Sequence, residues 1–540
     1  YFIDESGLGM RRFIPFIHTV EHCVRLMHNQ YWPFRNGIQL SIGNDQSHFN
    51  NTIGIWIEPG HFHVDPDEVI VILCHNYFDI FEWNALNCVI LPLVRHFYTI
   101  RKSGMELQVI NPFHSYYLIK SIMHTLTLVF LVAFALTTLM QIWLSVRHIR
   151  YVRAHQDQVP EEFVSQISLS DHQKAADYTC AKTTAGYPSI VMHSVLLLAF
   201  TLGGGLNLLS EFWAGWLTDP LAHGMALIIS TFFIMGVAEI PLNYYRTFVI
   251  EEHYGFNKMT PMMFFTDLIK QSALGLLLGA PLLFSVLWLM EKMGDNWWLY
   301  AWLAWIAFNL FVLAIFPTWI APLFNKFTPL EDTTLKARIE QLMNKCGFKA
   351  SGLFVMDGSR RSNHGNAYFT GFGKTKRIVF FDTLLSRLNP SEIEAVLAHE
   401  LGHFKHHHVI KRVVISFAMS LAFLWILGYL MNQSWFYEGL GVDVASVPST
   451  SMALLLFFLV MPVFTFLLHP LSSLYSRKHE FEADAFAARN SSADDLIHAL
   501  VKLYQDNAAT LTPDPLHSAF YDSHPPASIR VAHLQSQGQA

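Results

Sequence analysis

Seven stretches of this 540-residue chain stay apolar over the roughly 20 residues that a helix needs to cross a bilayer core. They fall near residues 125–146, 189–209, 222–242, 271–290, 297–320, 413–431 and 452–474. Lipid offers no partners to backbone N–H and C=O groups, so segments of this kind are stable there only as helices. The composition agrees, with 52% hydrophobic and 14% charged residues and a mean hydropathy of +0.29. A soluble domain carries about a quarter charged residues, because its surface must be wet. Pro317 falls late in the fifth segment, and Pro462 and Pro470 fall in the seventh, where kinks are expected.

Charge in the loops tests this map independently. Arg147, Arg150, Arg153, Lys174 and Lys182 follow the first segment, Arg246 and Lys258 the third, and Arg477 and Lys478 the seventh. The insert from 321 to 412 is also rich in Lys and Arg, while the alternate loops carry mostly Glu211, Asp219, Glu291, Asp295, Glu438 and Asp443. Basic loops stay cytoplasmic. The insert and the C-terminus are therefore expected inside, in a multi-pass protein of a bacterial inner membrane or the endoplasmic reticulum.

Five divisions follow: an N-terminal extension (1–122), membrane helices one to five (123–320), a cytoplasmic insert (321–412), helices six and seven (413–474), and a C-terminal segment (475–540). The extension fits neither a span nor a secretion signal, and Met123, just before the first span, is a candidate start. Cys23, Cys74, Cys88, Cys180 and Cys346 form no CxxC pair, which argues against a disulfide framework or a cysteine zinc site. A net charge of −6 leaves no basic footprint for nucleic acid. Nothing in the sequence sets an oligomeric state.

The chemistry is concentrated where the insert ends. Pro390, Ser391, Glu392 and Glu394 make a sound helix start for the run to His403. His399 and His403 are four residues apart, so both imidazoles leave one face of that helix. Two neutral nitrogens can then reach one Zn²⁺ at about 2.0–2.1 Å. Glu400 can take a proton from the attacking water. A five-residue HExxH match is weak alone; its helix, its place at the membrane boundary and Gly402 beside it strengthen it.

A catalytic zinc takes three protein ligands and keeps one position open. His406, His407 and His408 are unsuited to the third place, because ligands strung over eight residues span about 12 Å of helix. They read as a solvated or interfacial polar cap. Glu480, on a helix-forming run just past the seventh span, is the better candidate; the alternative is a surface acid paired with Arg477 or Lys478. Asp484, on the same helical face, can accept the outer N–H of a ligand histidine, and Glu482 points elsewhere.

The run Ala398 to His403, followed by Glu480 to Phe486, resembles the type I CAAX prenyl endopeptidases, integral-membrane zinc metalloproteases. Ile250 to Thr260, Asn366 to Phe369, Phe381 to Leu385 and Ser523 to Pro526 match in the same order, so the likeness covers about 123–535. It implies an all-α membrane fold in which seven helices enclose a chamber, with a mainly helical, gluzincin-like protease domain carrying a small β-hairpin. It implies one zinc per chain, Glu480 as third ligand, Asp484 beside it and His524 on the transition state. It also puts Asn366, Ala367, Tyr368 and Arg530 near the substrate, a peptide or protein that carries a prenyl group in that family. Gly365 stands where the family usually has serine.

Residues 366–370 and 377–381 read as strands around a turn at Gly371–Lys376, and an exposed edge there can hold an extended peptide as an added strand. Glu239, Asn207, Asn243 and Asn309 lie in or beside the spans and need either a wet cavity or helix–helix bonds. Together these features predict a membrane-embedded metalloendopeptidase. A membrane-protein quality-control protease is the enzymatic alternative, and a non-catalytic channel or scaffold with a structural zinc is the alternative of another class.

Overall fold

The computed structural model describes residues 124–349, 352–370, 377–443 and 450–538. The N-terminal extension and the Gly371–Lys376 turn lie outside the described residues.

Among the described residues, seven helical segments are long and apolar enough to cross a membrane. The first is α1 (Thr125–Ala154). The second joins α2 (Leu169–Thr184) and α3 (Gly186–Phe200). The third, α4 (Pro220–Tyr245), runs on through a π-turn at Arg246–Glu251. The fourth and fifth are α5 (Pro261–Lys292) and α6 (Trp297–Ile315). Asp219 and Thr260 cap α4 and α5 by accepting from the backbone N–H groups of Ala222 and Met263, and a proline opens each helix. Leu136, Phe233, Leu277, Leu303 and Trp425 on these helices are exposed, as apolar side chains are in a protein whose surroundings are lipid rather than water.

The second span differs from the segment anticipated at 189–209. It begins earlier, and α3 stops at Phe200. Three consecutive glycines make the break: Gly204 has φ +75°, and a Cβ on Gly203 or Gly205 would sit 2.8 or 2.7 Å from the Ala199 carbonyl oxygen. Only glycine allows so tight a turn.

Beyond the fifth span lies a four-stranded sheet made of β1 (Phe327–Pro329), β2 (Gly352–Met356), β3 (Ala367–Thr370) and β4 (Arg377–Phe381). The order is β1-β2-β4-β3, with β2 and β4 parallel and the outer pairs antiparallel. The expected hairpin is therefore present as β3–β4, with Ala367 opposite Phe380, but it is half of a larger sheet. Between β1 and β2 runs α7 (Thr333–Lys345). After β4 come α8 (Pro390–Lys405), α9 (His408–Leu430), α10 (Thr450–Thr465), α11 (His469–Asn490), α12 (Ala493–Asp506) and α13 (Ala527–Gly538). Helix α9 is the sixth span, and α10 with α11 forms the seventh. Two large cores result: Ile339, Phe380, Leu397 and Val531 centre one under the sheet, and Leu227, Leu287, Leu427 and Leu456 centre the other within the bundle.

Polar contacts tie bundle to cap. Asp267 of α5 is buried and receives both Nε and Nη2 of Arg361 at 2.9 and 3.2 Å. Asn207 donates to the Gly441 carbonyl at 3.0 Å, and Glu239 meets His193 at 2.5 Å, so these two polar groups are met by neighbouring segments. Asn309 bonds its own helix at Trp305. Replacing Asp267 by alanine leaves Nε and Nη2 of Arg361 without their acceptor, while Nη1 keeps its bond to Asn325. The expected loss is about 3 kcal/mol, read as a lower melting temperature in detergent; an unchanged melting curve would show the pair to be inert.

Candidate metal centre

Helix α8 is set by a capping box in which the Asn389 backbone N–H donates to the Glu392 carboxylate at 2.7 Å and the Glu392 backbone N–H donates to the Asn389 side chain. Ile393, Ala395, Leu397, Ala398 and Leu401 are buried around much of its circumference. His399 and His403 leave the helix on one face, and their Nε2 atoms face each other at 3.2 Å.

Helix α11 crosses α8 where Gly402 meets Ala483. A Cβ on Gly402 would lie 2.9 Å from Ala483 Cα and 3.1 Å from its carbonyl oxygen, so the two backbones touch. That approach delivers Glu480 to the imidazole pair. Its Oε2 lies 3.5 Å from His399 Nε2 and its Oε1 3.4 Å from His403 Nε2. Glu480 is 3% exposed, yet Oε2 makes no hydrogen bond. A buried carboxylate oxygen without a partner is costly. Among the described residues, one donor atom from each of His399, His403 and Glu480 falls within 4.8 Å of the others. Two imidazole nitrogens and one carboxylate suit a divalent cation with a position left open.

Asp484, fully buried, accepts from His399 Nδ1 at 2.8 Å. Asp484 thereby holds a proton on the outer nitrogen, so a cation at the centre would displace only the Nε2 proton and meet the lone pair beneath it. Arg530 locks Asp484 in turn, with Nη2 at 2.6 Å and Nε at 2.9 Å. The resemblance put Arg530 near the substrate. Here its fork is engaged by Asp484, with Nη1 3.7 Å from Glu480 Oε2 and Nη2 3.5 Å from His399 Nδ1.

The electrostatics follow from this packing. Burial opposes charge on His399, but Asp484 and Glu480 outweigh it and hold the ring up at about 9. Burial and the neighbouring His399 push His403 down to about 3. The carboxylates thus draw positive charge to the point where a cation would bind. Burial raises the Glu400 carboxyl, against the pull of His399, which moves it toward the range of a general base.

His524 stands open to solvent with Nε2 3.5 Å from Glu480 Oε1. Arg477 of α11 anchors the short helix before His524 (Pro515–Tyr521) by donating to the Ser518 carbonyl and hydroxyl at 2.5 and 2.8 Å. Neither Arg477 nor Lys478 pairs with Glu480; Lys478 lies 3.9 Å from Glu482 instead. Asn366, Ala367 and Tyr368 sit at or on β3, the edge strand. The Phe369 ring packs on Phe404 at 4.9 Å, so β3 runs alongside the end of α8 that carries His403.

One expectation is corrected. His407 is exposed, as a polar cap would be, but His408 is completely buried. Helix α8 ends at Lys405, and the left-handed His407 (φ 59°) folds the next residue back beneath it. His408 and Glu482 are the residues near this centre that helical spacing did not single out.

Two family models match the chain: "CAAX prenyl protease N-terminal, five membrane helices" over residues 148–326, and "Peptidase family M48" over residues 329–537. The CAAX prenyl protease 1 homolog of Arabidopsis thaliana is 36% identical over 400 residues, 70% of this chain and 91% of that protein. The homolog of Homo sapiens is 34% identical over 425 residues, 71% and 89% of the two chains. The crystal structure of S. mikatae Ste24p superposes with a TM-score of 0.70 at 30% identity, covering 76% of this chain and 99% of that one.

The crossing at Gly402 can be tested directly. Gly402→Ala inserts a methyl group against backbone that cannot step aside, an overpacking of about 1–3 kcal/mol. Its bound divalent metal, measured by elemental analysis, is expected to fall well below that of Gly275→Ala, whose new methyl meets open space. Equal metal content in the two variants would refute the role given to the crossing.

Proposed function

The chain belongs to peptidase family M48, among its CAAX prenyl proteases, and from that membership we propose that it is a zinc enzyme removing the C-terminal tripeptide of prenylated proteins. It is a multi-pass integral-membrane metalloendopeptidase, so the reading as a non-catalytic channel or scaffold falls. One observation carries the finer assignment: two imidazole Nε2 atoms and an unbonded, buried Glu480 oxygen converge on one point.

His399, His403 and Glu480 would hold one zinc per chain. Bound there, zinc supplies Lewis acidity to the scissile carbonyl and lowers the pKa of the attacking water. Glu400 accepts the water proton and later delivers it to the leaving amine. Asp484, clamped by Arg530, keeps the His399 lone pair aimed inward. His524 hydrogen-bonds the oxyanion as it develops, a role supported by its open position beside Glu480. The substrate lies extended along the free edge of β3, reading the backbone at Asn366, Ala367 and Tyr368 as an added strand. The basic loops support a cytoplasmic position for these residues.

Glu400→Gln keeps the shape of the side chain but cannot take the proton. It is expected to bind zinc as wild type does and to cleave about 10²–10⁴-fold more slowly; undiminished turnover would refute its role. Matched prenylated and unprenylated peptides, offered to the purified chain in detergent with and without a chelator, test the substrate. Chelator-sensitive cleavage that requires the prenyl group is expected. Equal cleavage of both would favour the quality-control protease.

A further inference from the structure

Both imidazoles facing Glu480 do so through Nε2, so each must place its Nδ1–H on the far side. For His399 the acceptor is Asp484. For His403 it is His408, whose Nδ1 lies 3.0 Å from His403 Nδ1. The direction of that bond follows by elimination. His403 Nε2 needs its lone pair to serve as a ligand, so its proton sits on Nδ1 and His408 Nδ1 accepts. The second ring then carries its proton on Nε2. There it meets Glu482 Oε2 at 2.8 Å, and a carboxylate can only accept. Every donor has its acceptor, and the bonds run one way, from His403 through His408 to Glu482.

The surroundings fix this arrangement. His408 is fully buried, with its ring stacked on His479 at 4.0 Å and 10°. The left-handed His407 turn aims it back at His403. Glu482 keeps its outer end partly in water, with Lys478 3.9 Å from its other oxygen. A metal-ligating histidine normally hands its outer N–H to such a partner, and that partner sets the ring's orientation and tautomer.

We propose that His408 and Glu482 are positioning residues for the ligand His403, doing for it what Asp484 does for His399. This rests on the reading of His403 as a metal ligand given above. The same side chains suggest a rival arrangement, since donor atoms of His406, His408 and Glu482 also lie within 4.8 Å of one another, as a second cation site would require. The two exclude each other: His408 Nε2 cannot donate to Glu482 and ligate an ion at once.

The test titrates zinc into the full chain in detergent against a chromophoric chelator, for wild type, His408→Leu, His408→Asn and Glu482→Ala. One zinc per wild-type chain is expected. His408→Leu and Glu482→Ala should bind it about 10–100-fold more weakly. His408→Asn, whose side-chain oxygen stands near the place of Nδ1, should recover most of the loss. Glu482 is partly exposed, and metal-free Glu482→Ala should melt where metal-free wild type does, which separates positioning from a structural role. Three results would overturn the proposal: wild-type zinc affinity in the leucine and alanine variants, no recovery with asparagine, or a second zinc per chain that vanishes with Glu482→Ala. A wild-type chain that binds no zinc would refute the metal centre itself, and the proposal with it.

Discussion

The contact between Gly402 and Ala483 is the constraint on which the rest of the centre depends. Side chains normally hold two packed helices 8–10 Å apart. Here a glycine on α8 lets its backbone reach the backbone of α11, with 2.9 Å between its missing Cβ and Ala483 Cα. Without that approach Glu480 on α11 would stand away from the imidazole pair of α8, with side chains between the two helices. With it, residues some 80 positions apart in sequence present their polar atoms within 3.5 Å.

Bringing carboxylates together in a buried place creates a second problem, and Arg530 answers it. Arg530 is 6% exposed, and its guanidinium bonds Asp484 twice and approaches Glu480. Buried ion pairs of this kind add little net stability, because desolvation offsets the attraction. Their effect is on geometry: Asp484 is held, so His399 is held. The membrane helices are tied to the same region by similar means. Arg147 at the end of α1 bonds both oxygens of fully buried Asp514, and the rings of His148 and His517 stack at 3.9 Å. Arg361 does the same for α5 through Asp267. The catalytic part is thus fastened to the bundle at points far apart in sequence.

What the sequence discloses depends on how local each determinant is. Span lengths and the His399–His403 spacing are properties of one continuous segment, and both are legible. The end of the second span is not legible, because apolar content runs past Phe200 while the break is made by backbone freedom at Gly203, Gly204 and Gly205. Strands β1 and β2 carry no clear signal, because Phe327–Pro329 is too short for alternation and Gly352–Met356 is one apolar run among many. Glu480 is an ordinary helical acid by its neighbours alone; its role needed either the family likeness or the fold. His408 was hidden by a single torsion. Had α8 continued past Lys405, His408 would have pointed away, and nothing in the spacing signals the left-handed turn at His407.

Helix α11 carries its three acidic side chains at positions 480, 482 and 484. At about 100° per residue, Glu480 and Asp484 leave the helix within about 40° of each other, and Glu482 leaves from nearly the opposite side. The first two grip α8, and the third grips the start of α9. The helix is therefore pinned from both flanks. Any roll about its own axis that tightens one set of bonds loosens the other, so this helix has a single rotational setting, and sliding or tilting are the motions left to it.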